Sequence, residues 1–305
     1  MPAPPLSLPH LAHGFPGLAA ALRGAERAAA SEAPILVLGE PGSGRSILAR
    51  ALHAASPRAA GPLVEVDPAV VPSALFESEL FGYRAGAFTG AEQATAGRVA
   101  RAEGGTLVLD HVEELPLGVQ PKLLRLIAER RYAPLAGGEG AADVRFIALG
   151  AEDLPQRVAS GAFRPDLFFR LEVLAFRLPP LRERGADLPA LIAELLQDLG
   201  ERFGRPAPRL APRAVAWMAA HPWPGNLRQL RNTLERALVL TPEGLLDPPP
   251  PDAVLESRPR PLLETEKDEI RRALAYTRGH QGRAAELLGI SRKALWEKRK
   301  RYGIP

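Results

Sequence analysis

A glycine-rich loop between an apolar run and a helical pattern constrains this chain most. It follows Ile35 to Leu38, precedes the pattern Ile47 to Ala55, and reads Gly39-Glu40-Pro41-Gly42-Ser43-Gly44-Arg45-Ser46. In this context glycines let backbone N–H groups wrap a phosphate at the start of a helix. The loop therefore predicts a nucleotide-binding site, and a glycine turn without a ligand is the alternative.

One position of the loop departs from the usual pattern, which ends in Lys followed by Ser or Thr. Arg45 stands at the Lys position. Arginine keeps the positive charge, but its planar guanidinium is bulkier than an ammonium group. We expect phosphate binding to persist with altered geometry.

The apolar runs of the first half indicate strands that are buried on both faces. They are continuous rather than alternating, which favours a parallel sheet, and they lie at Ile35 to Leu38, Thr106 to Leu109 and Val144 to Leu149. Helical patterns separate them, including Val119 to Arg130, so the predicted fold class is α/β. From Asp187 onward the strand signal fades, and a helical subdomain is predicted from Leu188 to Phe203 and Pro212 to Ala220.

The C-terminal part has a different composition. Pro242 to Pro261 is rich in proline and predicts an extended, semi-rigid linker. Three short helical patterns follow, at Leu263 to Tyr276, Arg283 to Leu288 and Arg292 to Tyr302.

Composition excludes several classes of protein. The 305 residues are 46% apolar and 24% charged, which is ordinary globular usage and allows about two domains. No apolar stretch is long enough for a membrane span, and no export signal begins the chain. The absence of cysteine excludes disulfides and cysteine-ligated zinc. A cytoplasmic protein is predicted.

A carboxylate ends the strand Thr106 to Leu109. Asp110 in this position, downstream of a phosphate loop, has the arrangement that orders Mg²⁺ beside a nucleotide. We expect Asp110 and the hydroxyl of Ser46 to be the metal ligands. The alternative for Asp110 is a turn or cap residue.

The segment from Glu79 to Ala91 carries a family resemblance. It contains Gly86-Ala87-Phe88-Thr89-Gly90-Ala91 and resembles the bacterial enhancer-binding activators of sigma-54 RNA polymerase, which are AAA+ ATPases. The resemblance implies that Gly86, Phe88, Thr89 and Gly90 contact the sigma factor. An exposed aromatic side chain between glycines suits such a contact.

The resemblance extends over nearly the whole chain, through Phe163 to Leu171, Leu178 to Arg184 and Trp223 to Arg228. It implies an AAA+ parallel-sheet domain at 1–185, a helical lid at 186–241, a linker at 242–261 and a helix-turn-helix domain at 262–305. It also implies a ring of subunits in which Arg164 and Arg170 reach a neighbour's nucleotide, and a sensor role in the lid for Arg228. ATP and Mg²⁺ are the implied cofactors.

Departures from the family pattern lie at positions linked to hydrolysis. Where the family has Asp-Glu, this chain has Asp110 followed by His111, so the carboxylate that positions the attacking water is missing. Asp67 replaces an Asn, Ala151 replaces the sensor Asn, and Arg45 is the fourth change. Losing a general base typically costs 10²–10⁴-fold in rate, although His111 could itself act as a base. Glu113 or Glu114 could compensate.

The last forty residues have the layout of a helix-turn-helix. Ala284 to Gly289 ends one helix, and Ser291 suits the N-cap of the next. The unit resembles the Fis-type DNA-binding domain and implies a dimer on DNA, although Arg299 stands where that domain usually has an apolar residue. The predicted DNA contacts are Ser291, Arg292, Lys293, Trp296, Lys298 and Lys300, and the alternative for the basic run that ends at Arg301 is a solvated helix end.

Two hypotheses of different classes follow. The first is a sigma-54 activator whose ATP state drives the loop at Phe88; only some thirty residues precede its first core strand, so regulation is expected from a separate protein or from expression level. The second is a DNA-binding regulator impaired in hydrolysis, with nucleotide as a structural ligand or absent. An unrelated phosphate-loop enzyme is a third, distant reading.

Overall fold

The computed structural model describes residues 7–205, 208–241, 244–250, 262–277, 279–302 and 304. The chain divides into two compact units, Met1–Pro248 and Pro249–Pro305. In the described part of the chain, no helix is both long and apolar enough to span a membrane.

The strands of the first unit are β1 (Ile35–Leu38), β2 (Leu63–Val66), β3 (Gly82–Tyr83), β4 (Thr95–Ala96), β5 (Thr106–Leu109), β6 (Arg131–Tyr132), β7 (Gly140–Ala141), β8 (Arg145–Gly150) and β9 (Leu174–Arg177). Its helices are α1 (Leu8–Gly14), α2 (Pro16–Ala19), α3 (Ala25–Ala30), α4 (Arg45–Ala54), α5 (Ser73–Phe81), α6 (Arg98–Arg101), α7 (Gln120–Glu129), α8 (Leu154–Ala159), α9 (Pro165–Leu171), α10 (Leu188–Arg202), α11 (Pro212–Ala220) and α12 (Asn226–Leu240). Short 3₁₀ turns lie at Val112–Glu114, Leu181–Glu183 and Gly185–Asp187.

The main sheet has the order β2-β5-β8-β1-β9, and all its pairings are parallel. The carboxyl ends of parallel strands therefore share one edge, where α/β proteins bind ligands. The residues that follow β1, β2, β5 and β8 are Gly39, Asp67, Asp110 and Ala151. The sheet thus gathers the positions that the sequence analysis linked to nucleotide chemistry.

Strand β1 is buried on both faces. Ile35 and Val37 pack with α1, α3, α4 and helices of the lid, whereas Leu36 and Leu38 pack with α5, α7 and α9 on the opposite face. Both faces need apolar side chains, which explains the continuous apolar run. The predicted strands in β1 and β5 are confirmed at their predicted bounds, and β8 is displaced by one residue at each end.

Two strands of the sheet were not predicted from the sequence. They are the edge strands β2 and β9, in which exposed or half-buried residues such as Glu65 and Arg177 interrupt the apolar pattern. An edge strand has one neighbour and fewer covering helices, so its sequence lacks the continuous run of a central strand.

The helical subdomain is confirmed as α10, α11 and α12, whose buried leucines join the same core as one face of the sheet. The predicted linker begins later than expected. Leu246 is buried and its backbone bonds to Arg209 and Ala211, while Trp217 Nε1 donates to the Pro248 carbonyl at 2.9 Å. The linker prediction for 242–243 and 251–261 lies outside the described residues.

The second unit contains α13 (Leu262–Tyr276), α14 (Gln281–Leu287) and α15 (Arg292–Tyr302). Ile270, Ala284, Leu295 and Ile304 are among the residues of its small apolar core. The predicted three-helix pattern is confirmed, and α15 has its predicted bounds. Arg299 is half-buried, and its Nε has no hydrogen-bond partner among the described residues.

A buried histidine makes the stability of the first unit depend on pH. Burial first, and then the charge of Arg145, lower the pKa of His53, whose Nδ1 lies 2.9 Å from Thr106 Oγ1. The unfolded chain takes up this proton near pH 6.5 while the folded chain resists it, so stability is retained above that pH and falls below it. Urea unfolding from pH 7.5 to 5.5 should show this loss. This decrease in the free energy of unfolding should be smaller in His53→Gln and unchanged in a His13→Gln control. A decrease in His53→Gln equal to that of the wild type would contradict the assignment to His53.

Candidate nucleotide site and DNA-binding unit

The phosphate loop joins β1 to α4 and lies against the lid. Gly42 has φ 78°, and a Cβ there would lie 2.6 Å from the Gly225 carbonyl oxygen, so only glycine fits.

The loop borders a cavity of about 950 Å³ that residues of α1, α4 and α10 also line. Ser43 lines this cavity at 2% exposure, and its hydroxyl has no partner among the described residues. A buried hydroxyl without a partner favours a polar ligand here.

The side chain of Arg45 is buried and contacts the backbone of the phosphate loop. Its side chain is 5% exposed, its Nη1 donates to the Gly39 carbonyl at 3.2 Å, and its Nη2 lies 3.7 Å from Asp110 Oδ1. The guanidinium therefore connects the start of the loop to the end of β5.

Asp67, Asp110 and His111 lie together at the carboxyl edge. His111 Nδ1 lies 3.0 Å from Asp67 Oδ2 and 3.7 Å from Asp110 Oδ1. The ligand atoms of the three side chains lie within 4.8 Å of one another. His111 has φ 44°, an uncommon left-handed conformation for a residue with a side chain. The Asp67 and His111 substitutions thus form one hydrogen-bonded pair.

The acidic residues considered as replacements for the missing carboxylate are otherwise engaged. Glu113 is buried, and its Oε2 accepts from the Ala151 backbone N–H at 3.1 Å. Glu114 pairs with Arg157 at 3.1 Å. Neither side chain lines the cavity, so the geometry gives no support to a rescue of hydrolysis by either residue.

The lid is fastened to the loop by Asn226, the first residue of α12. Its Nδ2 donates to Glu40 Oε2 at 3.0 Å and to the Pro41 carbonyl at 3.2 Å. Its Oδ1 accepts from the Leu181 N–H at 2.7 Å. Hydrogen bonds from Arg182, and then from Asn226, hold the pKa of Glu40 below its usual range. Glu40 is thus an ionised anchor between loop and lid.

A second connection ties the N-terminal helices to the loop. Arg184 and Asp187 form a buried ion pair at 2.9 Å. Asp187 Oδ1 also accepts from the Gly17 N–H at 2.7 Å, and Arg184 Nη1 donates to the Ser43 carbonyl at 3.4 Å. Burial lowers the pKa of Arg184. The cavity is therefore bounded by three parts of the chain that share hydrogen bonds.

The predicted arginines separate into two groups. Arg228 lines the cavity beside the loop. Arg164 and Arg170 do not; Arg164 pairs with Asp166 at 2.7 Å, and Arg170 Nη2 contacts the Ala128 carbonyl at 3.5 Å. Both side chains are exposed at α9, and neither lines the cavity beside the phosphate loop.

The segment with Phe88 forms a compact exposed turn beyond β3. The Gly86 N–H donates to the Ala91 carbonyl at 2.8 Å, and the glycines at its ends have φ 81° and 97°. Phe88 is 44% exposed, and its ring centroid lies 4.9 Å from that of Tyr83. An aromatic side chain is thus held at the surface by one ring contact.

In the second unit, α15 has two chemically different sides. Lys298 and the Tyr302 hydroxyl both bond to Glu266 of α13, and these bonds, Lys298 first, lower the pKa of Glu266. On the other side, Trp296 is 55% exposed, and Lys300 Nζ lies 5.4 Å from its ring centroid. Ser291 Oγ caps the helix by accepting from the Ala294 N–H at 3.1 Å. The other predicted DNA residues, Arg292 and Lys293, follow this cap.

Comparison with known families assigns each part of the chain. Residues 13–177 match the Sigma-54 interaction domain, residues 182–257 match the AAA+ ATPase lid domain, and residues 262–302 match the bacterial regulatory protein, Fis family. The chain belongs to the sigma-54-dependent transcriptional regulators. The predicted family and the predicted fold class are thereby confirmed.

Known relatives of this sigma-54-dependent regulator include AlgB, the alginate biosynthesis transcriptional regulatory protein of Pseudomonas aeruginosa, which is 42% identical over 95% of this chain and 66% of its own. The regulatory protein AtoC of Escherichia coli is 38% identical over 97% of this chain and 68% of its own. The chain spans about two thirds of the length of these relatives.

Solved structures agree with this assignment. NtrX from Brucella abortus is 33% identical, with a TM-score of 0.75, over 95% of this chain and 68% of its own. A structure of the same NtrX in complex with ATP has a TM-score of 0.72 at 32% identity.

Several residues of the site were missed by sequence reasoning. The sequence predicted no role for Asn226. The contacts of Arg182, Arg184 and Asp187 with Glu40, Ser43 and Gly17 had no local signal, because these partners lie more than 140 residues away in the chain. The Pro-Gly-Asn turn before α12 was the available signal for Asn226, since Asn tolerates the left-handed conformation, here φ 50°.

Replacing Asn226 should loosen the lid of this regulator. Asn226→Ala removes three hydrogen bonds and leaves the buried Leu181 N–H unsatisfied, at about 1–3 kcal/mol. The bonds to Glu40 and to the Pro41 carbonyl are partly exposed and contribute less. We expect a loss of about 2–4 kcal/mol in the free energy of unfolding, measured by urea denaturation. Asn232→Ala, at an exposed position of the same helix, is the control. Equal stability of the two variants would contradict the role of Asn226.

The two sides of α15 should differ in their effect on DNA affinity. Because Lys298 is paired with Glu266, Lys298→Ala should change the salt dependence of binding little. Lys300→Ala should reduce the slope of log affinity against log salt by about one if Lys300 contacts a phosphate. Fluorescence anisotropy of the full chain on a short duplex measures both slopes. A larger change in Lys298→Ala than in Lys300→Ala would reverse the assignment.

Proposed function

We propose that this chain is a DNA-bound regulator of sigma-54 RNA polymerase that binds ATP in the loop cavity and hydrolyses it poorly. The observation that carries this proposal is the Asp67 and His111 pair at 3.0 Å, which stands where the family has an Asn and a Glu. The carboxylate that orients the water in the family is thus replaced by the imidazole of His111, which is hydrogen-bonded to Asp67.

ATP binding is supported by the geometry of the cavity and by its relatives. The loop, the unpartnered hydroxyl of Ser43 and the nearby Arg228 offer donors to phosphate. The structure of NtrX in complex with ATP covers 95% of this chain, and the structure in complex with ADP covers 94%. ATP occupancy, rather than rapid turnover, would then set the position of the lid relative to the loop through Asn226.

The proposed partners follow the surfaces described above. Gly86, Phe88, Thr89 and Gly90 would contact the sigma factor, supported by the exposure of Phe88. Arg292, Lys293, Trp296 and Lys300 would contact DNA, and a DNA-bound regulator would act in the cytoplasm. Arg164 and Arg170 would face a neighbouring subunit in a ring, supported by their exposure outside the cavity of their own chain. A separate regulatory protein remains part of this proposal.

A second candidate is an ATPase that turns over normally with His111 as the base. The observation in its favour is again the hydrogen bond between His111 and Asp67, because an Nδ1–H that donates to a carboxylate leaves Nε2 available to accept a proton from water. The two candidates differ in the rate of ATP hydrolysis.

Phosphate release by the purified full chain separates the two candidates. We expect His111→Glu combined with Asp67→Asn to exceed the wild-type rate by at least about tenfold, since it restores a general base beside an uncharged amide; the full factor of about 10²–10⁴ is not expected while Arg45 and Ala151 remain. His111→Glu alone should recover less, because its carboxylate faces Asp67 and Asp110. Glu114→Gln is the control and should match the wild type.

Two results would overturn the proposed function. Wild-type turnover equal to that of the double variant would show that His111 serves as an effective base. Absence of ATP binding in equilibrium measurements would remove nucleotide from the function of the wild-type chain.

A further inference from the structure

The family resemblance implies Mg²⁺ at Asp110, and this can be tested against the charges around that carboxylate. A nucleotide-bound Mg²⁺ takes oxygen ligands in near-octahedral geometry and bridges the strand-end carboxylate to phosphate. The ion therefore needs the space between the phosphate loop and Asp110, and it needs that space free of other cations.

In this chain a side-chain cation borders that space. Arg45 Nη2 lies 3.7 Å from Asp110 Oδ1, while Nη1 is bonded to the Gly39 carbonyl. Asp110 Oδ1 also accepts from the His111 N–H at 2.9 Å. One carboxylate oxygen is thus near a guanidinium and a backbone donor, and both oppose the approach of a divalent cation to that oxygen.

The surrounding donors fit Mg²⁺ poorly for a second reason. Mg²⁺ prefers oxygen ligands, and the position that carries a carboxylate in the family offers an imidazole here, with Nδ1 3.7 Å from Asp110 Oδ1. Arginine is always protonated in proteins, so the charge of Arg45 cannot be removed to make room for the ion.

The guanidinium of Arg45 can neutralise phosphate charge, which is one of the functions of the ion. It presents five N–H donors in a planar fork that suits phosphate oxygens, and it is buried at the base of the loop. A guanidinium close to both Asp110 and the loop can neutralise phosphate charge from the side on which Mg²⁺ otherwise acts.

We infer that this chain binds nucleotide without Mg²⁺, and that Arg45 takes the place of the ion between Asp110 and the phosphates. This inference rests on the proposed ATP binding. The ligand of the site is then the metal-free nucleoside triphosphate. The fraction of protein with bound nucleotide does not depend on the concentration of free Mg²⁺.

The first test is the affinity of the full chain for a fluorescent ATP analogue, measured in excess Mg²⁺ and in excess EDTA. We expect the two dissociation constants to agree within about threefold, or less than 1 kcal/mol. Affinity that is at least about tenfold weaker in EDTA would overturn the inference while leaving the proposed function intact. Absence of binding under both conditions would overturn the proposed ATP binding as well.

Variants sharpen the test because the two views predict opposite signs. In excess Mg²⁺, Asp110→Asn should leave the affinity unchanged or increase it, since Arg45 is released toward the phosphates. If Asp110 were a metal ligand, its neutralisation would weaken the affinity in excess Mg²⁺, and that result would overturn the inference. Arg45→Lys should restore Mg²⁺ dependence, with affinity about tenfold weaker in EDTA than in Mg²⁺. Equal affinity of Arg45→Lys under both conditions would overturn the role of Arg45.

The matched control is Arg50→Lys. Arg50 lies on the same helix but pairs with Glu65 at 2.9 Å on the exposed side, so its replacement should leave both affinities at the wild-type level. Thermal unfolding of each variant verifies folding. If Arg45→Lys does not fold, the affinity of Asp110→Asn tests the inference.

Discussion

The cavity of this regulator depends on one buried amide. Asn226 offers an acceptor to the segment that follows the sheet and two donors to the phosphate loop, and all of them are used. A buried amide with every hydrogen bond satisfied is favourable, whereas breaking its bond to the buried Leu181 N–H leaves a donor without a partner. The amide therefore makes the loop, the connecting segment and the lid a single hydrogen-bonded unit.

The unusual residues at the carboxyl edge are consistent with one another. Aspartate at position 67 gives the imidazole of His111 an acceptor, and the guanidinium of Arg45 lies close to the carboxylate of Asp110. Restoring glutamate at position 111 alone would place a third carboxylate beside Asp67 and Asp110. The site thus behaves as a set of coupled substitutions on an intact AAA+ scaffold.

Much of this organisation could be predicted from the sequence. Central strands such as β1 and β5 are covered on both faces, so they carry continuous apolar runs, and the phosphate loop and the helix-turn-helix have local patterns of glycine and capping residues. The contacts between Asp67 and His111, or between Glu40 and Asn226, join residues 44 and 186 positions apart. No local pattern encodes such pairs, because they arise only when parallel strands and the lid bring distant segments together.

The contact between Gly42 and the lid also has a mechanical consequence. The Leu227 N–H donates to the Gly42 carbonyl at 3.0 Å, so the first turn of α12 is fastened to the phosphate loop. A helix of 15 residues is about 22 Å long, and a rotation of about 10° about that turn moves its far end by about 4 Å. A displacement of the phosphate loop that turned helix α12 by this angle would therefore be largest at Val239 and Leu240, the end farthest from the loop.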